Sequence, residues 1–180
     1  MSLVGTSSGG NLVRRLCYLA VAVSVIVLDQ VTKALIVARV PLHATISVIP
    51  GFFDLTHVRN AGAAFGLFGG NPSPARTVLL TGVAAAVFFG VVLYAWRSSV
   101  RDAVLQTALA LIAGGAVGNL IDRIRFDFVT DFLRFYVGVH EWPSFNAADS
   151  AITVGVVLLA WDVLRRPGEE TGRASEKAEA

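Results

Sequence analysis

TVLLTGVAAAVFFGVVLYAW, residues 77–96, is an apolar run without a single charged side chain. At 1.5 Å rise per residue such a helix is about 30 Å long, the thickness of a hydrocarbon core, so the segment is expected to cross a membrane. The rest of the chain has the same character. It is 54% hydrophobic and 16% charged, with a mean hydropathy of +0.65, which is too apolar for a water-soluble domain of 180 residues. Fifteen Lys and Arg against thirteen Asp and Glu leave a formal charge of +2, too balanced to suggest a polyanion, so nucleic acid is not an expected partner. Cys17 is the one cysteine, which excludes an intramolecular disulfide, and its place at the start of an apolar run suits a packed residue.

Working outward, a second apolar run over 103–121 follows after a link too short for anything but a tight antiparallel hairpin. A later run over 147–164 ends at Arg165, Arg166 and Pro167, where the basic pair suits a cytoplasmic boundary and the proline stops the helix. Arg14 and Arg15 before an apolar stretch resemble the start of a cleavable signal peptide. No Ala-x-Ala site follows, however, and the helical pattern continues through Asp29, Gln30 and Lys33 to just before Pro41. Four spans result, expected at about 12–40, 74–97, 101–123 and 146–166.

Four spans place both termini on one side. About eight Lys and Arg fall inside against about seven outside, so the clusters beside span ends (Arg14, Arg15; Arg97, Arg101; Arg165, Arg166) rather than the totals assign the termini to the cytoplasm.

Between the first two spans, 43–60 reads as a β-hairpin about the Pro50-Gly51 turn, and the glycine-rich 61–71, carrying Phe65 and Phe68, reads as a short interfacial helix. Residues 1–11 and 167–180 are polar ends expected to be disordered, flanking one membrane domain over 12–166. The fold expected is an all-α membrane protein of four transmembrane helices with a small extracytoplasmic hairpin or sheet.

This topology gathers polar residues at the outer face: Asp29, Lys33, Asn60, Asn119, Asp122, Arg123, Asp131, Asn146 and Asp149. An ionised side chain in a lipid-embedded helix costs roughly 2.5–3.5 kcal/mol on insertion scales, so each needs a partner, water or a function. Asp149 opens the last span, where a carboxylate is favoured by the helix dipole alone. Asp131 lies among apolar neighbours, which raise a carboxyl pKa. Two carboxylates held close share one proton and so supply a base and an acid to activate water against a peptide carbonyl without metal or cofactor. Asp122 competes for that role, although a structural ion pair or charge-balancing network with Arg123 serves equally well. Asp29 and Lys33 stand at the favourable i, i+4 spacing of a structural pair. Gly114, Gly115 and Gly118 suit close helix packing.

Other chemistries fit less well. His43, His57 and His140 lack a His-Glu-x-x-His frame, and Ser144 and Ser150 lack a Gly-x-Ser-x-Gly context. A small ion- or proton-coupled transporter is the alternative, since intramembrane Asp, Arg and Asn also mark ion pathways; the concentration of these groups at one face counts against it.

Five segments in order, DQVTK (29–33), NAGAAFG (60–66), GGAVGNLIDR (114–123), VTDF (129–132) and FNAADS (145–150), make the chain resemble the bacterial lipoprotein signal peptidases, or type II signal peptidases. The resemblance covers about 29–164. It implies an aspartic endopeptidase of the bacterial cytoplasmic (inner) membrane, acting as a monomer at the outer face. Its expected substrate is a diacylglyceryl-modified prolipoprotein in membrane lipid, cut immediately before the lipidated cysteine. Asp131 and Asp149 match the catalytic pair, which demotes Asp122. Asn60, Asn119, Arg123 and Asn146 match substrate-binding or dyad-orienting positions, and Asp29, Lys33 and Asp122 supporting ones. No cofactor or metal is implied, and globomycin is the expected inhibitor.

Overall fold

In the computed structural model, residues 7–62 and 74–165 are described. Four helices carry the fold: α1 (Ser7–Arg39), α2 (Pro74–Arg97), α3 (Ala103–Phe126) and α4 (Ala147–Leu164). Each is long and apolar enough to cross a bilayer. The helix α1 begins at Ser7, so five residues of the expected disordered leader are helical; the i→i−4 ladder extends back past Arg14 without a breaker. At the other end α3 runs to Phe126, three residues beyond the expected boundary. It stops where Asp127 takes the left-handed conformation (φ 65°) and its N–H closes on the Arg123 carbonyl. Only Ala61 and Gly62 of the expected interfacial segment fall within the described residues, and of the expected tail none does.

The helix α3 is the axis of the bundle, with 67% of its span buried against none of α2's. Small residues let it serve this way. A Cβ on Gly114 would meet the Ala22 carbonyl of α1 at 2.7 Å, and one on Gly115 would run into the Ala148 carbonyl and the Ile152 side chain of α4. With lipid on the outside there is little hydrophobic gain from helix association, so close van der Waals approach at such positions supplies the cohesion. On its other side α3 turns Gln106 toward α2, donating to the Ala95 carbonyl (2.9 Å) in the last turn of that helix, which has no partner one turn further on, and to the Ser99 carbonyl (3.3 Å) of the link.

A four-stranded antiparallel sheet, β1 (Thr45–Ile49), β2 (Phe53–Asn60), β3 (Val129–Val137) and β4 (His140–Glu141), is laid out in chain order. The hairpin was expected; β3, the strand that carries Asp131, was not. Its register against β2 sets Val58 opposite Asp131 and Asn60 opposite Val129. Ile36, Val40 and Phe132 form a small core that fixes the sheet to the end of α1, and His57 Nδ1 bonds the Val40 carbonyl at 2.8 Å. Phe145 is strapped to Leu133 by paired backbone hydrogen bonds of 2.8 and 3.1 Å, and its ring stacks on Phe135, which stacks on Phe53. That strap delivers the next residue, Asn146, beside Asp131.

Replacement of Gly115 by Val is expected to push α4 off α3 and lower stability by about 1–3 kcal/mol, the usual cost of overpacking. Thermal unfolding in detergent checks this, and an unchanged midpoint would contradict the close-approach account.

Candidate active site

The site is built in two tiers. In the lower tier the Lys33 ammonium, four residues along α1 from Asp29, lies 2.8 Å from Asp29 Oδ2 and 3.1 Å from Asp122 Oδ2 of α3, and donates to Asn119 Oδ1 at 2.9 Å. An ammonium has three N–H donors, and three acceptors surround this one. The carboxylates are equally engaged. Asp29 Oδ1 accepts the Ala148 N–H in the first turn of α4 at 3.0 Å, and Asp122 Oδ2 accepts the Thr130 N–H in β3 at 3.0 Å. Gln30 Nε2 reaches both acids and the Gly118 carbonyl at 3.0–3.2 Å. All three charged groups are buried, and a Cβ on Gly118 would lie 2.7 Å from Asp29 Oδ2, so glycine there admits the acid.

The expected Asp29–Lys33 pair is therefore present but belongs to a larger cluster. Asp122 pairs with Lys33 rather than with Arg123, because adjacent residues on a helix point about 100° apart, which sends one into the bundle and the other toward the cavity. Gln30 was quoted in the sequence but given no role; an amide amid Leu, Val and Ala was the available signal.

The upper tier holds the two remaining acids. Asp131 on β3 accepts Asn60 Nδ2 at Oδ2 (2.8 Å) and Asn146 Nδ2 at Oδ1 (2.7 Å). Asp149 in α4 accepts Asn119 Nδ2 at Oδ1 (2.7 Å) and the Asn146 backbone N–H at Oδ2 (3.2 Å). Asn146 is the N-cap of α4, its side-chain oxygen accepting the Asp149 N–H at 3.0 Å in a capping box. That leaves its amide nitrogen for Asp131 and for Asn119 Oδ1 (3.1 Å). Asn119 is oriented likewise: Lys33 can only donate, so the Asn119 oxygen faces Lys33 and its nitrogen faces Asp149.

Asp131, Asp149, Asn60, Asn119 and Arg123 line a cavity of about 530 Å³, with Val129, the 142–145 strap, and Ser150, Ile152, Thr153 and Val154 of α4. Asn146 sits behind the wall, fully buried. Sequence reasoning gave no role to the strap residues Trp142 and Pro143, which carried no distinctive pattern, nor to Ile152 and Val154 within the last apolar run. Burial, reinforced by the nearby Asp149 charge, pushes the Asp131 carboxyl up to about 7, against the pull of its Asn60 and Asn146 donors and of Lys33. Among the described residues Arg123 hydrogen-bonds the carbonyl of Asn119, at 3.5 Å, and it lines the cavity. Among the described residues no group of three or more His, Cys, Asp or Glu side chains is placed to hold a metal ion.

Fold and cavity define a four-span integral membrane protein with an acidic cleft at one end of its bundle. The sequence profile of the family described as signal peptidase (SPase) II matches residues 21–165. The lipoprotein signal peptidase of Desulforapulum autotrophicum is 47% identical over 83% of this chain and 91% of its own length, and that of Paraburkholderia phymatum 47% identical over 88% and 92%. A bacterial membrane enzyme solved by the in meso method at 2.3 Å resolution superposes with a TM-score of 0.73 at 30% identity, covering 86% of this chain and 91% of that one. The chain belongs to the signal peptidase II family. It is a multi-pass membrane hydrolase, an aspartic protease of lipoprotein processing, and the transporter alternative is not favoured.

Exchange of Lys33 for Met is expected to leave Asp29 and Asp122 buried without a cation and to cost about 3–5 kcal/mol. A thermal midpoint in detergent equal to that of the parent would show that the cluster does not hold the bundle together.

Proposed function

We propose that Asp131 and Asp149 are the catalytic pair, cleaving the signal peptide from diacylglyceryl-modified prolipoproteins immediately before the lipidated cysteine. The observation that carries this reading is the convergence of the two acids on one cavity, with every carboxylate oxygen held by an N–H donor. Fixed donors of this kind need no reorganisation as charge shifts between the acids.

In the resting site one proton is shared. Asp131, pushed up to about 7 by burial and by the nearby Asp149 charge, carries it, which leaves Asp149, at the N-terminus of α4, as the base. Asp149 takes a proton from water as the water oxygen bonds to the scissile carbonyl carbon, and Asp131 gives its proton to the carbonyl oxygen. The resulting gem-diol collapses when Asp149 passes its proton to the leaving nitrogen and Asp131 recovers one from a hydroxyl. The C–N bond breaks, and the pair returns to its starting state with one proton. Arg123 and Asn60 at the cavity wall bind substrate carbonyls, while Asn119 and Asn146 orient the acids. Asp29, Lys33 and Asp122 hold the frame.

The apolar side of the cavity along Ile152 and Val154 receives the membrane-embedded part of the substrate. The enzyme acts as a monomer in a bacterial cytoplasmic membrane. Arg15 stacks on Trp96 at 4.5 Å, so the basic start of α1 and the basic end of α2 share one side, which supports a cytoplasmic place for both termini and an extracytoplasmic cleft. Globomycin is expected to occupy the cleft.

Purified protein is to be incubated with a diacylglyceryl-modified prolipoprotein and scored by gel shift, beside Asp131→Asn and Asp149→Asn and with globomycin. Each exchange is expected to lower the rate by at least about 10²–10⁴-fold without loss of folding, and cleavage retained in either would overturn the assignment. The pH–rate profile is expected to be bell-shaped. Deprotonation of Asp131 removes the acid, so the rate falls as pH rises through about 7, and a second protonation removes the base on the acid side. A profile with a single limb would contradict a shared proton.

A further inference from the structure

The strap that carries the chain from β4 to α4 has two edges, and β3 occupies one of them. Toward β3, the Trp142 N–H donates to the Phe135 carbonyl (2.9 Å). Phe145 exchanges hydrogen bonds with Leu133 (3.1 and 2.8 Å), and its carbonyl also accepts the Phe132 N–H (3.0 Å). A trans peptide is planar, with each C=O and the following N–H on opposite sides. Because the Phe145 N–H points at β3, the Ser144 carbonyl points away from it. By the same rule the Phe145 carbonyl points at β3 and the Asn146 N–H points away, and that N–H bonds Asp149 Oδ2 at 3.2 Å. The outer edge of the strap therefore runs on the side where Asp149 lies.

Ser144 is where that edge stands open. It is half-buried and lines the cavity of about 530 Å³ together with Asp131 and Asp149, and its carbonyl accepts no hydrogen bond among the described residues. The pairing also slips here. Leu133 faces Phe145 but Tyr136 faces Glu141, so the three strap residues 142–144 oppose only two on β3. A bulge of this kind bends a strand and re-aims its groups, often beside an active site. An edge whose backbone groups lack partners is a template for another extended chain.

We propose that the strap edge at Ser144 binds the backbone of the substrate, its carbonyl accepting an N–H from the segment beside the scissile bond, which lies along the strap as an added strand. The inference rests on the cleft being the cleavage site and adds how the peptide is registered within it. Main-chain pairing carries no side-chain preference, so Ser144 sets where the scissile bond lies along the cleft and leaves sequence choice to the cavity wall. The acceptor and the Asn146 N–H that holds Asp149 flank a single residue, Phe145, so the same strap that orients the acid also places the peptide against it.

The test measures cleavage by the purified protein in detergent of a short diacylglyceryl-modified lipopeptide spanning the cleavage site, N-methylated at one backbone nitrogen at a time away from the scissile bond. N-methylation removes one donor. Successive residues of an extended chain turn their N–H groups to opposite edges. One position is therefore expected to raise KM roughly two- to tenfold, the usual worth of a hydrogen bond, and its two immediate neighbours to matter less. The series is repeated on protein in which the Ser144–Phe145 amide is replaced by an ester, whose carbonyl is a weaker acceptor. There the penalty at the sensitive position is expected to shrink. A flat series on the parent would overturn the edge whatever the folding of the ester form, and an undiminished penalty in a folded ester form would overturn Ser144 as the acceptor. Failure of the parent to cleave the unmethylated lipopeptide would instead overturn the reading of the cleft itself.

Discussion

One buried ammonium, that of Lys33, is shared among Asp29 of its own helix, Asp122 and Asn119 of α3, and through the acids it holds the first turn of α4 and the start of β3. Four elements from distant parts of the chain meet on one charge. Such a cluster is costly to bury, and replacement by well-packed apolar residues often leaves a protein as stable or more so. Its value here is one of specificity: in a bundle whose helices all have apolar faces in an apolar solvent, the cluster distinguishes one rotation of α1 and α3 from the others.

The same cation determines which way an amide points. Asn119 presents oxygen to Lys33 and so presents nitrogen to Asp149, while Asn146 spends its oxygen on the capping box and so turns its nitrogen to Asp131. Asparagine is suited to this because it carries an acceptor and donors on one short, planar group. The two upper acids therefore receive hydrogen bonds whose direction is set from below and from the helix cap. Burial disfavours the ionised form of Asp131 while these donors favour it, and the balance leaves its carboxyl near neutral pH, where a proton can be held and released.

The sheet does what a fifth helix could not. In a strand the neighbouring chain is about 5 Å away, so the β2–β3 pairing brings Asn60 to Asp131, and the Phe145 strap on Leu133 lets β3 hand directly to the N-cap of α4. The stack of Phe53, Phe135 and Phe145 rings backs that handover. Strand and helix start thus present the two acids to a shared cavity from different elements.

Much of the architecture was legible in the chain itself. Lipid solvent forces backbone groups to be satisfied within each span, so the apolar runs named the four helices, and the order of the spans gathered nine polar residues at one end. The acids and amides of DQVTK, GGAVGNLIDR and FNAADS stood out because charge in an apolar helix requires a reason. Other features depended on contacts between segments far apart in sequence. These include β3 as a strand, the pairing of Asp122 with Lys33 instead of its neighbour Arg123, the role of Gln30, the cavity wall at Trp142 and Ile152, and the strap edge at Ser144. Periodicity and hydropathy record what a segment does with its solvent and its own backbone. Which carboxylate meets which cation, and which amide turns its nitrogen to which acid, is decided only when α1, α3, β3 and α4 are packed within hydrogen-bonding distance of one another.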